Sequence, residues 1–147
     1  MSVKETLRTF ISDFAKDLEN AKPFNTKLVE FKLELKSKII LILSQVSDQS
    51  VKEEQFKEIL KGVNEAIVEI TKNINYENDK LLERHIAFFE AINEVLKEFL
   101  EGDSINDKHE LSQLSNKISK MNERMYLELK GRRGGILSLI RKLIYRG

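Results

Sequence analysis

The sequence predicts an all-α protein: a four- to five-helix bundle with a short C-terminal amphipathic helix. Three observations carry that expectation. The 147 residues hold one proline and six glycines, so long stretches rich in Glu, Lys, Leu and Ile run without a helix breaker. Apolar residues recur three and four apart in every long segment, and no segment alternates at period two for long enough to make a strand. Ser or Asp followed three residues later by Glu marks several helix starts, because such a pair satisfies backbone N–H groups at the first turn.

The first helix follows the Ser2/Glu5 pair and places Leu7, Phe10, Ile11, Phe14 and Leu18 on one stripe. It is expected to end near Asn20, since Pro23 fits no helix interior and pushes Lys22 out of helical angles. The second helix is expected from Asn25 or Thr26 to about Val46. Its later half, Ile39 to Leu43 and Val46, is apolar on nearly every side, which predicts a central helix or one shared with a partner subunit.

Ser50 and Glu53 form a second capping pair within Ser-Val-Lys-Glu, the same four residues found at positions 2–5. Helix three then carries Phe56, Ile59, Leu60, Val63, Ile67, Ile70 and Ile74 opposite a charged face. The Asn-rich stretch 73–79 predicts a turn with Asn78 as the next cap. Helix four shows Leu82, His85, Ile86, Phe89, Ile92, Val95, Leu96 and Phe99 and stops at Gly102. Asp107 and Glu110 are expected to start helix five, whose thinner stripe of Leu111, Leu114, Ile118, Met121 and Met125 suits the edge of a bundle or a partner. Gly131 is expected to close it. Residues 1–130 therefore read as the helical bundle, and residues 131–147 as a Gly/Arg hinge followed by a basic amphipathic C-terminal helix.

Composition narrows function mainly by exclusion. With no cysteine there is neither a disulfide framework nor a thiolate metal site, and Glu5 and Asp13 interrupt the place of a signal peptide's apolar run, so a cytoplasmic protein, or one within an assembled particle, is expected. The longest unbroken apolar run, Ile39 to Leu43, is five residues, and a membrane span needs roughly 20.

Neither histidine, His85 or His109, stands three residues after a Glu or four from the other histidine, so di-iron and zinc helix motifs are missing. There is no Gly-x-Ser-x-Gly turn and no Gly-rich phosphate loop. Catalytic residues, metal ligands, cofactors and small-molecule substrates are accordingly not expected. His85, between Leu82 and Phe89, reads first as a core residue hydrogen-bonded to a neighbour, with pH sensing as the alternative. Phe88, Phe89 and Phe99 stand among Glu83, Glu90, Glu94 and Glu98, a setting that favours core packing or a subunit contact over base stacking.

The net charge of +1 hides a division. Residues 130–147 carry Lys130, Arg132, Arg133, Arg141, Lys142 and Arg146 with no acid, a charge of +6, which leaves 19 basic and 24 acidic residues, a net of −5, in residues 1–129. On a helical wheel Ile136, Leu139, Ile140, Leu143 and Ile144, with Leu137, fill one arc, and Ser138, Arg141, Lys142 and Arg146 the other. The cations suit a phosphate backbone or another polyanion, nucleic acid in particular. The apolar arc requires burial on the body, on a partner or at a membrane surface.

The expectation is a non-enzymatic structural or assembly protein, a homo-oligomer or part of a larger assembly, whose basic segment meets a polyanion or a neighbouring subunit, as a small helical coat or nucleoid-type protein would. The alternative is a membrane-peripheral or adaptor protein anchored by the same amphipathic helix.

Overall fold

The computed structural model describes the backbone of residues 1–102 and 105–145, with side chains up to residue 131 in those ranges. The chain is all-α, with five helices among the described residues: α1 (Val3–Glu19), α2 (Phe24–Ser44), α3 (Gln49–Lys72), α4 (Asp79–Glu101) and α5 (His109–Tyr145).

Helix ends follow local capping chemistry. The Ser2 side chain accepts the Glu5 N–H at the start of α1, and Asn78 accepts the Leu81 N–H at the start of α4, so residues 73–78 form the expected turn. At α3 the cap is Asp48, two residues earlier than the Ser50/Glu53 pair suggests. Its carboxylate accepts the N–H groups of Ser50 and Val51 and the Ser50 hydroxyl. These bonds, the hydroxyl's first, hold the Asp48 carboxyl below its ordinary pKa by favouring the anion. Asp107 likewise accepts the His109 N–H, and α5 begins at His109. The Lys22–Pro23 peptide is cis, Pro23 stands at the N-cap of α2, and that helix begins at Phe24, slightly before the expected start.

The contacts between helices set an up-and-down order. Lys4 reaches Glu65 and Arg8 reaches Glu69, so α1 and α3 run parallel, side by side. The pairs Lys32–Glu94 and Lys36–Glu98 make α2 parallel to α4. Asn93 bonds Ser115 and Ser119 while Asn122 bonds the Ile86 carbonyl, which makes α4 and α5 antiparallel. Short connections between alternating helices produce this topology.

α4 is the central helix. Leu82, Phe88, Phe89, Ile92 and Leu96 are buried against lines from the others, including Leu7 and Ile11 of α1, Phe31 and Leu35 of α2, Ile59, Val63 and Ile67 of α3, and Leu111 and Ile118 of α5. The Phe88, Phe89 and Phe99 rings lie in this core: Phe88 packs on Phe31 with centroids 4.5 Å apart, and Phe99 on Phe56 at 6.0 Å.

Two joints fix the ends of α1. Near its start, α3 presents Gly62, where an added Cβ would overlap the Lys4 carbonyl oxygen and sit 3.0 Å from Leu7 Cβ, so the two backbones approach as closely as a glycine allows. Near its end, the Arg84 guanidinium donates to the carbonyls of Leu18, Glu19 and Ala21 at 2.8, 3.1 and 3.1 Å and lies over the Phe24 ring. It thereby satisfies carbonyls that a helix C-terminus leaves without partners.

Two expectations change. α2 is not central: Phe31, Leu35, Ile39 and Leu43 form a single buried line at four-residue spacing, Phe24, Leu28 and Ile42 flank it half-buried, and Val29, Leu33, Ile40 and Leu41 face outward. The longest apolar run lies in a peripheral helix because α4, with apolar side chains on most of its circumference, occupies the middle. Gly131 does not close α5, whose backbone continues to Tyr145 as one helix of 37 residues. Each glycine costs a helix about 1 kcal/mol, but no proline intervenes, and extending an existing helix avoids a second nucleation.

Candidate interaction surface

The surface with the most unusual chemistry is built from the outer sides of α2, α4 and α5. It starts from the α2 heptad-like spacing. With Phe31, Leu35 and Ile39 turned inward, residues 29, 33 and 40 fall together on the opposite side of the wheel. Val29, Leu33 and Ile40 are 51%, 63% and 47% exposed, and Leu41, further round, is 60% exposed. Isolated exposed aliphatics are ordinary on proteins, whereas three aligned on one helix face form a ridge.

Beside the ridge, Lys32 and Lys36 reach across to α4. Their ammonium groups lie 3.0 Å from Glu94 and 2.6 Å from Glu98, a two-rung ladder between parallel helices. Glu94 is also on the rim of a groove of about 550 Å³ between α4 and α5. Ridge, ladder and groove therefore share one face.

Polar side chains that hydrogen-bond between antiparallel α4 and α5 line the groove. Asn93 donates to Ser119 at 3.0 Å and accepts from Ser115 at 2.6 Å, and Asn122 donates to the Ile86 carbonyl at 3.2 Å. Asn122 Oδ1 is buried and accepts no hydrogen bond among the described residues. The rim is acidic: Glu90, Glu94 and Glu123 stand against one cation, Lys97, with Tyr126 at the end. Neither Glu90 nor Glu123 has an ion-pair partner among the described residues.

Comparison with protein-family models, curated proteins and solved structures finds no match for this chain.

A second depression, of about 300 Å³, lies between α1, α3 and α4 and is lined by Ser12, Lys16, Glu19, Glu69, Asn73 and His85. His85 is buried at 5% exposure, with Nδ1 2.8 Å from the Leu81 carbonyl and Nε2 3.5 Å from Glu19. The Ser12 hydroxyl donates to Glu69 at 3.4 Å. His85 and its hydrogen bond to the preceding turn match the core reading. Among the described residues no group of three or more His, Cys, Asp or Glu side chains is placed to hold a metal ion.

Of the sequence-derived site residues, Lys130 is exposed on α5. The side chains of Arg132, Arg133, Ile136, Leu139, Ile140, Arg141, Lys142, Leu143 and Ile144 lie outside the described residues, as does Arg146 entirely. Among the described residues, no helix is long and apolar enough to cross a membrane.

Sequence reasoning registered the apolar richness of α2 without separating its inward line from its outward ridge. It missed the groove. A signal was present: Ser115, Ser119, Asn122 and Tyr126 follow one another at spacings of four, three and four, a polar stripe beside the apolar one, and Asn93 interrupts the apolar circumference of α4.

Proposed function

We propose that this chain is a non-enzymatic assembly protein: a helical bundle that self-associates, with its basic C-terminal segment engaging a polyanion or a neighbouring subunit. The observation that carries the reading is the α2 ridge. Val29, Leu33 and Ile40 present aligned aliphatic surface to water on a helix whose other side is already anchored in the core. Burying such a ridge against a neighbour removes apolar area from water at about 25 cal/mol per Å², a gain a monomer forgoes. The division of charge supports the second half of the reading, since +6 in residues 130–147 faces −5 in the remainder. Arginine suits both partners, because its planar fork matches carboxylate and phosphate alike.

The test is size-exclusion chromatography with light scattering across a range of concentrations, at two salt concentrations, with and without nucleic acid. The expected result is a mass above 17.1 kDa that rises with concentration. It should fall toward the monomer in Leu33→Glu/Ile40→Lys, with thermal stability unchanged because both positions are exposed. Nucleic-acid binding, where present, should weaken steeply with salt. A strict monomer at millimolar concentration with no affinity for nucleic acid overturns the reading.

A further inference from the structure

We infer that the face formed by the α2 ridge and the acidic α4–α5 groove receives the basic amphipathic C-terminal segment of a second copy of this chain. The inference rests on the self-association proposed above and names the two surfaces that meet.

Charge and apolar pattern match in parallel. The segment 130–146 carries six cations and no acid, and on a helical wheel Arg141, Lys142 and Arg146 lie off the arc of Ile136, Leu139, Ile140, Leu143 and Ile144. The receiving face offers both kinds of surface: the Val29/Leu33/Ile40 ridge, and beyond the Lys–Glu ladder a groove rimmed by Glu90, Glu94 and Glu123. Glu90 and Glu123 lack a cation among the described residues, and buried Asn122 on the groove lining has an acceptor with no donor. A guanidinium supplies both charge and donors. Amphipathic helices dock on apolar surface in this way in many recognition pairs.

The backbone decides which molecule supplies the segment. The bonds Asn93–Ser115/Ser119 and Asn122–Ile86 set an antiparallel register that brings Leu129–Gly131 level with the first turn of α4. α5 continues from there as one helix to Tyr145. A continuous helix cannot fold back onto a groove that its own residues 119–126 help to form, so the occupant comes from another copy. Such a contact joins unlike surfaces, and it either closes as a reciprocal pair or propagates as an open chain.

Complementation tests it. One variant, Glu90→Lys/Glu123→Lys, disables the groove and keeps the segment; a second, Arg132→Glu/Arg133→Glu/Arg141→Glu, disables the segment and keeps the groove. Both rim positions are exposed, and circular dichroism melts check that both chains fold as the wild type does. Light scattering should show each variant alone associating about tenfold or more weakly than wild type, with association restored when the two are mixed and lowered again by salt. Wild-type association that both variants retain overturns this inference and leaves the self-association reading standing. Variants that each lose association but do not complement also overturn it, since they then need different partners. A wild-type chain that stays monomeric overturns the inference, and one that also has no affinity for nucleic acid overturns the reading with it.

Discussion

Gly62→Ala separates two opposed effects at one residue. Alanine is the better helix former by about 1 kcal/mol, so in an open helix the exchange stabilises. At position 62 the new methyl would overlap the Lys4 carbonyl oxygen and press on Leu7 Cβ at 3.0 Å, and the atom in the way is backbone, which no rotamer change can move aside. Relief requires α1 to back away from α3. That loosens the packing of Leu7, Ile11, Ala15 and Leu18, which are nearly or fully buried. Overpacking of this kind costs about 1–3 kcal/mol and sometimes more. A backbone clash belongs at the upper end, so the net loss after the helix gain is about 2 kcal/mol. For a chain of this size that is a fall in Tm of about 4–8 °C, read by circular dichroism at 222 nm and by urea unfolding. Gly131→Ala is the internal control: it lies in α5, where an added Cβ meets nothing within 4 Å among the described residues, and should gain about 0.5–1 kcal/mol. If Gly62→Ala proves as stable as wild type, the close approach of α1 and α3 is wrong.

Three further outcomes follow from single joints. Arg84→Ala should lose about 2 kcal/mol, because the carbonyls of Leu18, Glu19 and Ala21 all share the Arg84 Nη1 as donor and lose it together, and chemical denaturation with hydrogen exchange at residues 18–21 should report it. Asn93→Ala should cost about 2 kcal/mol by leaving Ser115 and Ser119 without their shared partner, while the milder Ser119→Ala should cost less, both read from urea midpoints. Asp48 gives a pH signature. Its folded pKa lies below the unfolded one, so its contribution is complete above the unfolded pKa and disappears as pH falls through the folded pKa. Asp48→Asn should therefore differ from wild type in its pH dependence only in the acid range, and melts at pH 7 and pH 3 that shift in parallel would contradict the cap.

The five helices were legible because their signals are local. A capping side chain acts within three residues, a turn within four, and an amphipathic stripe shows in any window of a dozen. Ser2, Asn78 and the stripes of α1, α3 and α4 therefore appear in the sequence as they stand in the fold. Asp48 displaced Ser50 as a cap because both can do the work, and which one does depends on where the incoming chain turns.

The candidate face was only half legible. The sequence by itself determined the all-α class, the order of helices, the division of charge between body and C-terminal segment, and the excess of aliphatic side chains on α2. Tertiary structure alone decided that α4 takes the centre, that α2 therefore turns Val29, Leu33 and Ile40 to water, and that Asn93, Ser115, Ser119 and Asn122 meet across one seam beneath an acidic rim. The physical reason is range: periodicity tells which side of a helix is apolar, but not which helix, or which copy of the chain, will cover it.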